Sequence, residues 1–165
     1  MTEMSKIDTQ ALLADVTRFV WHEADLLDAC AYDDWLELWT EDGLYIMPIG
    51  EGDDHANQLN LCYDNAKMRR DRIGRFQAGL SISSAPPAVT VRTVSRIVID
   101  SAEGDLITVR AAEHLVEDKF GRQRVWAGNV WYVLKVTEDG SFKLHQKVIR
   151  LLNSDGMLNS FSYLF

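Results

Sequence analysis

The sequence predicts an α+β fold in which N-terminal helices pack into the concavity of a strongly curved, mixed or antiparallel β-sheet. Three observations carry this. Helical periodicity is confined to the first half of the chain. After Pro86-Pro87 come four segments rich in Val, Ile, Leu, Trp and Tyr, at 88–99, 105–118, 122–136 and 141–152. These segments run to 12–15 residues, against roughly 5–6 for an ordinary strand, and strands of that length bend and enclose whatever covers them.

The first helix is expected from about Asp8 to Ala31. On a 100° wheel Leu12, Leu13, Val16, Phe19, Val20, Leu26, Leu27 and Cys30 form one broad apolar stripe, with Arg18, Trp21, Asp25 and Asp28 outside it. Asp33 or Asp34 is expected to cap a short second helix carrying Trp35, Leu36, Leu38 and Trp39. Glu41-Asp42-Gly43 reads as a turn, and Leu44 to Met47 as a strand stopped by Pro48. A further helix is expected over Asp64–Gln77 with Asp64 as its cap, broken by 83–87. Turn signals at Glu103-Gly104, Phe120-Gly121 and Asp139-Gly140 then make the four strands an antiparallel meander. In the third strand both faces are apolar: Val125, Ala127, Trp131 and Val133 on one, Trp126, Val130, Tyr132 and Leu134 on the other. Such a strand is covered twice, by the helices and by the sheet's own curl or another subunit.

Composition narrows the function classes. The 165 residues are 47% hydrophobic and 25% charged, which fits a single domain over 1–165, with about 1–7 and about 156–165 as tails. The net charge of −8 offers no basic field for nucleic acid or for an anionic membrane. No apolar run approaches the roughly 20 residues of a membrane span, and MTEMSKIDTQ lacks a signal-peptide pattern. A cytoplasmic location is the expectation. Cys30 and Cys62 form no metal or redox motif, and two reduced, core-packed thiols are expected.

Residues 22–48 hold eight carboxylates and one histidine. Solvated helix faces, caps and the turn account for all but Glu23, which sits near the centre of the apolar stripe. An ionised carboxylate there needs a partner or a raised pKa. One reading is a buried ion pair with Arg69 or Arg72 that latches helix to sheet. The other is a general acid/base at a pocket floor. The histidines, His22, His55, His114 and His145, show no HxH, HxxxH or HExxH spacing. An iron site of two histidines and a carboxylate would have to assemble from distant strands, with no local support. His114 follows Glu113 in a strand, one of the two must face inward, and His114 is the best pocket histidine; a satisfied core or interface histidine is the plainer alternative. RRDRIGR, 69–75, reads as a solvated helix face or a contact for an acidic partner. No Rieske signature, phosphate loop or nucleophile elbow occurs.

Several segments together carry a resemblance. Glu23-Ala24, Leu26-Leu27-Asp28, Tyr32, Trp35 and Leu38 open it. Glu41-Asp42, Tyr45 and Pro48 follow, then Tyr63-Asp64, Arg72-Ile73 and Arg75. Pro86-Pro87, Thr90, Arg92, Val94 and Ser95, then Ala127-Gly128, Tyr132 and Leu134, and finally Lys147, Val148, Leu151, Asn153 and Asp155 complete it. Over about 19–155 this order resembles the β (small) subunits of the aromatic-ring-hydroxylating dioxygenases, with departures at Ala88-Val89 and Arg96. The resemblance implies a cone-shaped fold of the nuclear-transport-factor-2 (NTF2-like) or ketosteroid-isomerase type. It implies a non-catalytic structural subunit with no catalytic, metal or cofactor-binding residue of its own. The Rieske 2Fe-2S cluster and mononuclear Fe(II) would lie in a partner α subunit, in an α3β3 assembly around a β homotrimer. Arg92, Arg96, Trp131, Phe161, Tyr163 and Phe165 are the expected interface residues, the last three in the apolar tail 157–165. The alternative is a stand-alone isomerase, dehydratase or cyclase on the same fold. Its substrate would sit among Tyr32, Trp35, Tyr45 and Trp126, with Glu23 or Asp33 as base and His114 or a tyrosine as donor.

Overall fold

The computed structural model describes residues 6–82, 86–152 and 164–165, the side chains of 6, 7 and 80–82 excepted. Helix α1 spans Lys6–Asp28 and α2 spans Tyr32–Glu37. Strand β1 (Trp39–Pro48), a 3-10 turn at His55–Asn57, β2 (Asn60–Asp64) and α3 (Ala66–Ile82) follow. The meander is β3 (Val89–Glu103), β4 (Leu106–Lys119), β5 (Arg122–Val136) and β6 (Phe142–Leu151). All strands join one sheet in the order β2-β1-β6-β5-β4-β3. Among the described residues only the β1–β6 pair is parallel, so the sheet is mixed, as expected.

α1 buries Val16, Val20, Ala24 and Leu27 against the sheet. It ends earlier than the periodicity suggests. The Cys30 amide donates to Leu27 O (3.1 Å) and the Ala31 amide to Leu26 O (2.9 Å), with Cys30 left-handed at φ 54. This is a Schellman stop with cysteine in the place glycine usually takes. Cys30 is therefore exposed rather than core-packed, while Cys62 is buried, its thiol pushed up by burial.

Other boundaries differ for local reasons. Neither Asp33 nor Asp34 caps α2; Ala31 holds that position, and the two aspartates lie in the first turn, where the helix dipole favours them. Glu41-Asp42-Gly43 is a bulge inside β1 rather than a turn before it, because β1 and β6 change register between Trp39 and Leu44. A Cβ at Gly43 would meet Trp39 at 2.8 Å and Leu144 O at 3.0 Å, so the bulge needs glycine there. Asn65, not Asp64, caps α3 through a 3.0 Å bond from the Met68 amide. Asp64 instead ends β2, a strand too short to show in the sequence pattern.

Two irregularities shape the concave face. β3 shifts register between Ser95 and Val98, with Arg96 at φ 53. β6 shifts opposite Val133/Leu134, so that Leu144 and Lys147 turn to the same face. Each extra residue reverses the alternation and bends its strand.

Candidate functional site

Glu23 lies on the buried stripe of α1, and its carboxylate meets the Lys147 ammonium at 2.7 Å; both side chains are 1% exposed. The Trp35 indole donates to the same oxygen at 3.0 Å. Lys147 also donates to the main-chain oxygen of Phe165 at 2.9 Å. The β6 bulge makes this possible. With strict alternation from Leu144, position 147 would face outward. The expected partners Arg69 and Arg72 are corrected: both are held locally. Arg72 grips Asp64 with two nitrogens, at 2.5 and 2.9 Å. Arg69 donates to the main-chain oxygens of Gly43 and Asp64 and lies 4.1 Å over the Trp39 ring. Burial lowers its guanidinium to about 10.

A second buried cation stands beside this pair. Arg92 on β3 is bonded to Asp28 and to the main-chain oxygen of Leu164, and its Nε is 3.5 Å from Glu113. Asp28 also accepts from the Thr90 hydroxyl (2.9 Å) and the Arg92 amide (2.8 Å). It is thus not a solvated outer-face residue; it ties the end of α1 to β3. Arg92, expected at a subunit interface, has its guanidinium inside its own chain because β3 turns position 92 to the concave face with Val94. Both Glu113 carboxylate oxygens and the Tyr132 hydroxyl are buried without a hydrogen-bond partner. Burial, with Glu23 and Asp28 nearby, raises the Glu113 carboxyl above its ordinary range against the pull of Lys147 and Arg92. Burial likewise pushes the Tyr45 and Tyr132 hydroxyls well up.

The remaining expectations divide. Tyr32, Trp35 and Tyr45 are buried. Trp35, Trp39 and Tyr45 meet edge to face at 5.3–6.2 Å, forming core rather than an open pocket wall. Trp126 is half-buried and meets the Phe165 ring edge-on at 6.4 Å. Asp33 and His114 are exposed, so neither shares a pocket with Glu23. The inward member of the 113–114 pair is Glu113. The alternation Ile107, Val109, Ala111, Leu115 carried that signal, since position 113 falls in its apolar register. Lys147 carried none. Arg96 is exposed and donates to Asn129 at 2.7 Å. Trp131 is half-buried under Arg150, whose guanidinium is 5.9 Å from its ring. Phe161 and Tyr163 lie outside the described residues. Phe165, expected at an interface, is 1% exposed within its own chain, held by Lys147 and by its amide donating to Tyr45 Oη at 3.0 Å.

Outside the concave face the chain offers a groove of about 450 Å³ between Trp131, Val133, Gln146, Val148 and Arg150. Val91 and Val125, both more than 60% exposed, align on the outer face through Val116 between them. Among the described residues no group of three or more His, Cys, Asp or Glu could hold a metal. No helix there is long and apolar enough to cross a membrane.

Residues 22–155 match the family described as ring hydroxylating beta subunit. The small subunit of 2-halobenzoate 1,2-dioxygenase from Burkholderia cepacia is 28% identical over 141 residues, covering 82% of this chain and 86% of that one. The small oxygenase component of the p-cumate 2,3-dioxygenase system of Pseudomonas putida is 30% identical over 137 residues, with 81% and 76% covered. Among solved structures, the β subunit of the benzoate 1,2-dioxygenase of Burkholderia mallei ATCC 23344 superposes with a TM-score of 0.75. It is 26% identical, with 99% of this chain and 100% of that one covered.

Proposed function

The chain belongs to the ring hydroxylating beta subunit family, and on that premise we propose that it is the non-catalytic structural β subunit of a Rieske-type aromatic-ring-hydroxylating dioxygenase. It supports an α subunit that dihydroxylates an aromatic compound. The observation that supports the structural role is the engagement of Glu23 in the core. Glu23, the carboxylate expected to serve as base, is held by Lys147 and Trp35 at 1% exposure, and Lys147 is held in turn by the main-chain oxygen of Phe165. The alternative needs a base and a donor facing a common cavity; of its candidates Asp33 and His114 face solvent, and Glu23 is paired with Lys147.

In this reading the Rieske cluster and the mononuclear iron belong to the α subunit, and the complex is α3β3 around a β homotrimer in the cytoplasm. The outer face of the sheet supports that arrangement. Its valine row and the Trp131–Arg150 groove leave apolar area exposed on β3–β6, the composition of an interface core with an arginine anchor. The test is native mass spectrometry of the chain alone and co-expressed with an α subunit of the family. A trimer alone, an α3β3 hexamer together, and oxygenase activity only in the complex are expected. A clean monomer that never joins α would overturn the reading.

A further inference from the structure

The tip of the β4–β5 hairpin carries a residue that its position does not favour. The two strands pair without slip as far as Lys119 and Arg122, leaving Phe120-Gly121 at the turn. Phe120 is left-handed at φ 55, a conformation that suits glycine or asparagine and costs a bulky side chain energy. It is also 67% exposed, with the Lys119 ammonium 5.6 Å from its ring. Neither feature helps the isolated chain to fold. Around the ring, residues 119–124 (KFGRQR) hold three cations and no acid, in a chain of net charge −8. Arg122, Gln123 and Arg124 are exposed. Val125 and Val91 extend the apolar surface from the tip along the outer face.

A second surface, built separately, has the complementary character. The outer groove of about 450 Å³ is lined by Trp131, Val133, Val148 and Gln146, with Asp53, His55 and Arg150 at its border. Arg150 fixes the neighbouring loop. Its guanidinium donates to the main-chain oxygens of Gly50 and Gly52 and to the Asp53 carboxylate at 3.1 Å. That loop reads EGDD at 51–54, three exposed acids and no cation. Arg150 offsets one of these charges, and the border stays acidic. An apolar groove with an acidic border matches an apolar tip flanked by cations.

We propose that the groove receives the β4–β5 hairpin of a second copy of this chain, with Phe120 against Trp131 and the cations of 119–124 facing the acids of 51–54. The chain's own hairpin does not reach. Arg122 and Trp131 lie nine residues apart on the same strand, roughly 30 Å at about 3.3 Å per residue. Hairpin and groove are different surfaces, so the contact runs head to tail, and such a contact closes into a ring when its rotation permits. One buried phenylalanine covers about 150–250 Å², less than the roughly 800 Å² per partner of a stable interface. Val91 and Val125, continuous with the tip, supply further apolar area. The inference rests on the β homotrimer reading and adds which two surfaces make the contact.

The test uses the full chain alone, with assembly followed by sedimentation velocity over a concentration series. Phe120→Asp suits a left-handed position better than phenylalanine and should leave the far-UV circular dichroism unchanged. It should raise the midpoint concentration of assembly about thirtyfold. Gln146→Arg, which fills the groove and adds a like charge, should do the same from the other side. An equimolar mixture of the two should form a mixed dimer, since one keeps its groove and the other its hairpin. Arg124→Glu should weaken assembly, and adding Glu51→Lys should restore it. Arg70→Glu, on the exposed side of α3, is the control and should change nothing. A trimer indifferent to Phe120→Asp and Gln146→Arg would overturn the docking and leave the homotrimer standing. So would the absence of a mixed dimer, or a charge exchange no better than Arg124→Glu alone. A chain that is monomeric alone yet joins an α subunit would overturn it too, the groove then belonging to a different partner, while the subunit assignment stands.

Discussion

Glu23 and Lys147, 124 positions apart in sequence, meet at 2.7 Å in the core, each 1% exposed. Neither can be removed alone without leaving a buried charge. Glu23→Met or Lys147→Met is expected to lower stability by about 3–5 kcal/mol, whereas replacing both by methionine should recover most of that loss. Urea unfolding of the four proteins closes the cycle. Additive losses would mean that the two charges are not coupled.

Glu113 gives the chain a pH dependence of definite sign. Its carboxyl is raised above its ordinary 4.5 by burial, so the folded state binds the proton more tightly than the unfolded chain. Its contribution is fully present below the unfolded value and is lost as pH rises through the raised folded value. Thermal melts from pH 4.5 upward should show the wild type falling relative to Glu113→Gln, with the glutamine variant the more stable at the alkaline end. Parallel curves would remove Glu113 as the source.

The Arg92–Asp28 pair holds the end of α1 to β3. Asp28→Asn keeps the shape but removes the charge facing a guanidinium that is 1% exposed. A loss of about 2–4 kcal/mol is expected, with faster amide exchange in the last turn of α1. A change below about 0.5 kcal/mol would mark an ordinary surface pair.

Gly128 sits where β5 presses on β6. An added Cβ would lie 2.5 Å from Arg150 O, a backbone atom that cannot swing away. Gly128→Ala should therefore cost about 1–3 kcal/mol, while Gly74→Ala, with open space around it, should be neutral or gain about 0.4–1 kcal/mol. Denaturation midpoints of the two variants give the comparison.

Cys30 occupies a left-handed position with its side chain exposed. Cys30→Gly should raise stability by a few tenths to about 1 kcal/mol, the backbone strain relieved exceeding the entropy glycine adds. A destabilised variant would show that the thiol makes a contact outweighing the strain.

The sequence carried the architecture in its periodicities. The α1 stripe, the four long strands and the glycine-marked turns between them are local signals, and each reappears within a few residues. The anomalous carboxylate was legible for the same reason: Glu23 breaks a pattern that surrounds it. Glu113 was legible too, in the register of Ile107, Val109, Ala111 and Leu115, whereas His114 falls on the opposite, exposed face.

What only the tertiary structure decided was pairing. Lys147 turns inward because β6 carries an extra residue, and nothing local shows where a ladder will slip. Arg69 and Arg72 were claimed by the backbone around Gly43 and by Asp64, because β2 ends in Asp64, 5 and 8 residues before them. Phe165 turned from an expected interface residue into core because Lys147 and Tyr45 bind its main chain on the concave face. Periodicity is set by each segment's neighbours in sequence. A partner is set by the register of strands that meet across more than a hundred residues, and one bulge reverses which face a side chain takes.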